Sequence, residues 1–115
     1  METKSLLKLG VVGCQGIGAH MARLAAANPN ILLAACCDVS EANARRLAQA
    51  LDVQQIYLDY DILLAEASLD AIYIATPHFL HDDMIRKAVR YDLPVLCEKP
   101  ITESATSAVA LVESL

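Results

Sequence analysis

The chain has 115 residues, of which 56% are hydrophobic and 20% are charged, with 4 Gly and 4 Pro; this composition excludes a disordered or collagen-like protein. The length fits one domain. A formal net charge of −5 gives no attraction to nucleic acid or to an anionic membrane, so we expect neither as a partner. Apolar runs stay well below the ~18 residues of a membrane span. The first residues lack the basic start of a signal peptide, so we expect a cytoplasmic protein.

Strand and helix patterns alternate along the chain. Continuous apolar runs bounded by Gly, Pro or polar residues indicate strands, and apolar residues three or four apart indicate helices. The predicted strands cover residues 9–13, 31–37, 55–58, 70–75 and 94–97. The predicted helices begin near residues 17, 41, 60, 77 and 103. This alternation predicts an α/β domain with one open parallel sheet and helices on both faces.

The helix ends and faces also have local signals. Ser40 precedes the second helix and is predicted to cap it. Asn30, Asp52 and Asp92 stand where a left-handed residue is wanted after a helix, a conformation that Asn and Asp tolerate. The side chains predicted to face the core from the first helix are Ile17, Met21, Leu24 and Ala25. Those predicted to do so from the fourth helix are Leu80, Met84, Ile85, Ala88 and Val89.

The cysteines all lie in apolar segments, at positions 14, 36, 37 and 97. Neither their spacing nor that of the histidines suits a zinc site, so we expect no metal. Buried, reduced thiols are the favoured interpretation, as is usual in the cytoplasm. A redox-active or nucleophilic thiol is the alternative.

Glycine is concentrated in the turn between the first strand and the first helix, and the cofactor-binding candidates there are Gly13, Gln15, Gly16, Ile17 and Gly18. Dinucleotides bind at such turns, because their pyrophosphate meets the unpaired N–H groups of the helix start. Gly13 fits the tight turn and Gly18 fits close packing of helix on strand. Gln15 occupies the middle position of the G-x-G-x-x-G pattern, where backbone approaches phosphate. We therefore expect Gln15→Gly to tighten cofactor binding or leave it unchanged.

An acidic residue follows the second predicted strand. Asp38 lies 20 residues beyond Gly18, the spacing typical of a carboxylate that accepts hydrogen bonds from the adenosine ribose. The alternative role for Asp38 is a local helix cap. Arg45 and Arg46 leave a 2′-phosphate site open, but a carboxylate repels that phosphate. NAD is therefore favoured over NADP.

Two further segments follow the fourth and fifth predicted strands. They are Thr76, Pro77, His78 and His81 after the fourth strand, and Glu98, Lys99 and Pro100 after the fifth. Together with the glycine turn, these segments resemble the Gfo/Idh/MocA family of NAD(P)-dependent oxidoreductases over essentially the whole chain. The resemblance implies that residues 1–115 form a Rossmann-like dinucleotide-binding domain, an open parallel sheet with the strand order 3-2-1-4-5 and helices on both faces. It also implies that the chain stops before the family's last strand and its second, substrate-binding domain.

The resemblance implies a reaction as well. Hydride would pass between the nicotinamide and a secondary alcohol on a sugar, cyclitol or similar polyol, held only with the help of a second domain. Both segments would contact the cofactor, and Lys99 would act catalytically beside the nicotinamide and the substrate hydroxyl. His78 and His81 can instead bond locally. A non-catalytic module that senses NAD or pairs with another chain is the alternative function, and association with a second copy is also left open.

Overall fold

The computed structural model of the chain describes residues 6–76 and 80–97. The strands are Leu7–Val12 (β1), Ile31–Cys37 (β2), Gln55–Tyr57 (β3), Ala71–Ile74 (β4) and Val95–Cys97 (β5). The helices are Ile17–Ala26 (α1), Glu41–Leu51 (α2), Tyr60–Glu66 (α3) and His81–Arg90 (α4). The helix predicted from residue 103 lies outside the described residues, as do residues 77–79, where the sequence predicts that the fourth helix begins. Within the described ranges, no helix is long and apolar enough to cross a membrane.

The five strands form one sheet in the order β3-β2-β1-β4-β5, and all four pairings are parallel. The predicted topology is therefore confirmed. From the central β1 the chain moves outward to β3, then crosses to β4 on the other side of β1. Parallel sheets bind ligands at this point of reversal, beyond the carboxyl ends of the strands.

Each face of the sheet carries its own apolar core. One face packs against α1 and α2 and includes Val11 and Cys36, whereas the other packs against α3 and α4 and includes Val12 and Cys37. Successive residues of a strand point to opposite faces, so a strand buried on both sides is apolar throughout. This explains why β1 and β2 have continuous apolar sequences.

Three of the predicted caps and turns are confirmed. The Ser40 hydroxyl accepts a hydrogen bond of 3.3 Å from the backbone N–H of Asn43 and so caps α2. Asp52 and Asp92 both adopt a φ of 56°, the left-handed conformation. Short polar side chains make this conformation accessible where glycine is absent.

The prediction for Asn30 is wrong, because α1 ends without a left-handed residue. Its C-cap, Ala27, has a φ of −80° and ψ of −11°, and the Ala27 N–H donates to Arg23 O. The Asn28 side chain then accepts a 2.8 Å hydrogen bond from the Asn30 N–H. This Asx-type turn leads the chain into β2, so no reversal at Asn30 is needed.

The buried faces of α1 and α4 are narrower than the apolar spacing predicts. In α1, Gly18 and Ala22 are buried, whereas Ile17 and Leu24 are 44% and 55% exposed. The small residues bring α1 close to the sheet, and the larger side chains are left at the rim. In α4 the side chains that remain 36% exposed are Leu80 and Val89.

Candidate functional site

A cleft of about 720 Å³ opens at the carboxyl edge of the sheet, where β1, β2 and β4 end. The turn after β1 and the first turn of α2 form two of its walls. The predicted cofactor residues that line it are Gly13, Gln15, Gly16, Asp38 and Thr76. Residues distant in the sequence thus meet in one cleft, because the carboxyl ends of parallel strands share one edge.

Gly13 and Gly18 fulfil the backbone roles predicted for them. Gly13 has a φ of 95°, and a Cβ there would lie 2.8 Å from the carbonyl carbon of Ala75. The Gly13 N–H donates to Cys37 O at 2.8 Å, which closes the turn onto β2. A Cβ on Gly18 would overlap the carbonyl oxygen of Gly13. Glycine at both positions lets α1 begin directly against the strands.

The third glycine of the turn faces open space. Gly16 has a φ of 57° and ψ of −122°, a conformation that favours glycine. Apart from its chain neighbours, no residue in the described part of the chain comes within 4 Å of where a Cβ would be. The Gly18 N–H donates to Gln15 O at 3.1 Å across this turn. Gly16 is also the N-cap of α1 and provides no side-chain cap. The first N–H groups of α1 are therefore without a side-chain acceptor, which suits an anionic ligand.

The carboxylate of Asp38 is held between two walls of the cleft. One oxygen accepts from the Cys14 N–H at 2.9 Å, and the other accepts from the Ser40 N–H at 2.8 Å. Asp38 is not the cap of α2, because Ser40 is its N-cap. Its two hydrogen bonds instead fix the glycine turn relative to the start of α2. A carboxylate oxygen has two acceptor sites, so each still has one for a ligand hydroxyl.

None of the described residues that line the cleft beside Asp38 is an arginine. Arg45 pairs with Glu41 at 2.8 Å on the exposed side of α2, and Arg46 contacts the Asn43 side chain at 3.5 Å. Val39, directly after Asp38, is 92% exposed and apolar. Among the described lining residues, then, none is a cation that would balance a 2′-phosphate.

The thiols at and beneath the cleft are buried and form no disulfide. Cys14, Cys36 and Cys37 are free cysteines, and the Cys14 thiol donates to Cys37 O at 3.3 Å. A hydrogen bond with Cys36 and burial raise the pKa of Cys14. Burial, together with the charges of Asp38 and Asp59, raises the pKa of Cys37 to about 12. Cys14 and Cys37 thus stay protonated at neutral pH and present an apolar lining, which argues against a nucleophilic role.

His81 lies behind the cleft wall, with 1% of its surface exposed. Its Nε2–H donates to the carbonyl oxygen of Thr76 at 2.7 Å, and the Thr76 hydroxyl contacts the sulfur of Met84 at 3.2 Å. The histidine thereby fixes the backbone at the end of β4. This geometry matches local bonding, and a direct cofactor contact for His81 stays a prediction.

We expect His81→Leu to lower the free energy of unfolding by roughly 1–3 kcal/mol, because the Thr76 carbonyl loses its donor. Urea unfolding followed by circular dichroism measures the change. The matched control is His20→Leu, since His20 is an exposed histidine of α1. Equal stability of the two variants would contradict a structural role for His81.

Ile17, a predicted cofactor-binding residue, is described and does not line the cleft, so its cofactor contact stays a prediction. The remaining predicted site residues lie outside the described part of the chain. They are Pro77, His78, Glu98, Lys99 and Pro100, and their roles stay predictions. Conversely, the structure adds lining residues that the sequence does not assign to the site, among them Asn43, Tyr60 and Met84. Asn43 had a usable signal, because it lies three residues after the capping Ser40 and hence in the first turn of α2.

The strand order, the glycine turn after β1 and the acidic residue after β2 define a dinucleotide-binding domain of the Rossmann type. Comparison with known proteins makes this more specific. Residues 7–115 match the model of the oxidoreductase family with an NAD-binding Rossmann fold, and the chain belongs to this Gfo/Idh/MocA family.

Individual relatives are dehydrogenases. Inositol 2-dehydrogenase of Arthrobacter sp. is 37% identical over 109 residues, which cover 94% of this chain and 32% of the relative. D-xylose 1-dehydrogenase (NADP(+)) 2 of Haloferax volcanii is 38% identical over 107 residues, which cover 93% of this chain and 33% of the relative. The chain spans about a third of the length of the curated relatives it matches.

A solved structure shows the same fold. Scyllo-inositol dehydrogenase from Lactobacillus casei, with bound cofactor NAD(H) and scyllo-inositol, superposes with a TM-score of 0.89 at 25% identity. The match covers 95% of this chain and 32% of that one.

Proposed function

We propose that the chain is the cofactor-binding part of a dehydrogenase that transfers hydride between NAD and a secondary alcohol of a sugar or cyclitol. The observation that carries the proposal is the Asp38 carboxylate, anchored by two backbone N–H groups in one cleft with the uncapped start of α1. The inositol and xylose dehydrogenases among the relatives support this substrate class.

The cleft fits a dinucleotide in shape and in chemistry. The open space at Gly16 and the N–H groups of α1 suit a pyrophosphate, which gains from the positive end of the helix dipole. The remaining acceptor sites of Asp38 suit the adenosine ribose hydroxyls. When bound, the nicotinamide supplies the hydride chemistry, and the protein orients and polarises the reactants.

The substrate side of the reaction is also part of the proposal. We place Lys99 beside the nicotinamide and the substrate hydroxyl, as its match to the family motif implies. A second domain, beyond the third of the relatives' length that this chain spans, would complete the substrate pocket. A cytoplasmic location is supported by the three buried, unpaired thiols.

Isothermal titration calorimetry with NAD⁺ tests the proposed cofactor site. We expect saturable binding that Asp38→Ala weakens, since that change removes the ribose acceptor and the anchor of the glycine turn. Asp83→Asn is the matched control, because it removes one exposed carboxylate of α4 away from the cleft. Absence of NAD⁺ binding by the folded, unmodified chain would contradict the proposal.

We also expect NAD⁺ to bind more tightly than NADP⁺, by roughly ten- to a hundredfold, because Asp38 repels the 2′-phosphate and no cation among the described lining residues offsets it. Asp38→Asn keeps a side-chain acceptor but removes the charge, so it should reduce the difference between the affinities for NAD⁺ and NADP⁺. The measurement is calorimetric titration of NAD⁺ and of NADP⁺ into the unmodified chain and into Asp38→Asn. Equal dissociation constants for the unmodified chain would overturn the expected preference.

A further inference from the structure

Three polar side chains connect α2 to the glycine turn along the rim of the cleft. The Arg46 guanidinium donates to Asn43 Oδ1 at 3.5 Å, and Asn43 Nδ2 donates to Gln15 Oε1 at 3.4 Å. Gln15 and Asn43 both line the cleft. Both bonds donate in the same direction, from the cationic Arg46 toward Gln15.

This direction determines what Gln15 offers to a ligand. Its carbonyl oxygen is occupied by Asn43, so the two N–H groups of its Nε2 remain as donors at the glycine turn. Asn43 is itself held in place, since its backbone N–H is bound by the capping Ser40. Consecutive hydrogen bonds polarise one another, and a chain that starts at a guanidinium strengthens the last donor.

We propose that Arg46, Asn43 and Gln15 form an amide relay that presents the Gln15 N–H groups to the diphosphate of the bound dinucleotide. The inference rests on the proposed function. The diphosphate is the matching group because Gln15 directly precedes Gly16 and the uncapped start of α1, where an anion is favoured. The ribose hydroxyls are matched by Asp38, which accepts where Gln15 donates.

The relay reverses the expectation drawn for Gln15 from the sequence. That expectation assumes that a Cβ at position 15 hinders the approach of phosphate to the backbone. In the structure, however, the positive φ falls at Gly16 and not at Gln15, so a side chain at position 15 causes no backbone strain. Glycine at position 15 would therefore remove a donor without relieving the turn.

Titration calorimetry with NAD⁺ separates the two expectations. The relay predicts that Gln15→Ala and Gln15→Gly both weaken binding by roughly tenfold, the usual effect of losing one hydrogen bond to a charged group. Hindrance by the Cβ predicts instead that Gln15→Gly tightens binding or leaves it unchanged. The matched control is Gln54→Ala, since Gln54 is exposed and does not line the cleft.

The role of Asn43 is tested by a double-mutant cycle. Asn43→Ala should weaken NAD⁺ binding by roughly threefold, whereas the same change made in Gln15→Ala should have no further effect, because Asn43 acts through Gln15. If Asn43 had a purely structural role, Asn43→Ala would weaken NAD⁺ binding equally in the unmodified chain and in Gln15→Ala. Independent, additive losses would overturn the relay.

The ligand group is tested with ADP and adenosine. Gln15→Ala should weaken ADP binding as it weakens NAD⁺ binding, and should leave adenosine binding unchanged. An equal loss with adenosine would overturn the assignment to the diphosphate. If the unmodified chain does not bind NAD⁺, both the proposed function and the relay fail. If it binds NAD⁺ and the Gln15 variants bind equally well, only the relay fails.

Discussion

Gly13→Ala is expected to lower the free energy of unfolding by about 3–5 kcal/mol, because it combines backbone strain with a steric clash. The φ of 95° disfavours any side chain, and the new Cβ would meet the carbonyl carbon and oxygen of Ala75 at 2.8 and 2.9 Å. These atoms belong to the backbone at the end of β4 and cannot rotate away. Urea unfolding followed by circular dichroism measures the loss.

Two neighbouring glycines provide controls that separate strain from clash. Gly16→Ala meets nothing within 4 Å, so only the cost of its φ of 57° remains, roughly 1–3 kcal/mol. Gly18 has no positive φ, so Gly18→Ala adds no strain of that kind. Its only cost is the steric clash of the new Cβ with the Gly13 carbonyl group and with Ala75 Cβ. If Gly13→Ala destabilises the chain no more than Gly16→Ala does, the conclusion that the Gly13 turn lies against the backbone at the end of β4 is wrong.

The parallel sheet could be predicted because local patterns mark its strands and helices, and the family resemblance supplied the strand order. Continuous apolar runs marked the buried strands, and strict alternation with helices left few possible arrangements. The cap at Ser40 and the left-handed Asp52 followed from local side-chain chemistry. The exposure of Ile17 and Leu24 could not be predicted this way, because it depends on how closely Gly18 and Ala22 bring α1 to the sheet.

The site was predictable to the extent that strand ends determine it. Gly13, Asp38 and Thr76 each follow a strand, so a parallel sheet necessarily brings them to one edge. The contribution of Asn43 depends on the position of α2. The location of the positive φ depends on the type of turn. Both are set by three-dimensional packing, and for this reason the sequence alone does not locate the positive φ at Gly16.

The chain of 115 residues is expected to bind the dinucleotide and to show no measurable dehydrogenase activity by itself. The titratable lining residues in the described ranges are Cys14, Cys37, Asp38 and Tyr60. Both thiols have raised pKa values, Asp38 is anchored by two N–H groups, and the Tyr60 hydroxyl donates to Met84 O at 2.7 Å. None of these groups is therefore placed to exchange a proton with a substrate alcohol.

The expected loss of rate is large because two contributions are missing together. Orientation of two reactants supplies roughly 7–11 kcal/mol of barrier reduction, and a substrate bound on one side only would not receive it. A missing general acid or base adds a further loss of about 10²–10⁴-fold. The assay follows NADH absorbance with myo-inositol and with D-xylose, using a preparation whose NAD⁺ binding has been confirmed by calorimetry. Steady NADH formation would show that the 115 residues form a complete active site, and would overturn the proposed need for a second domain.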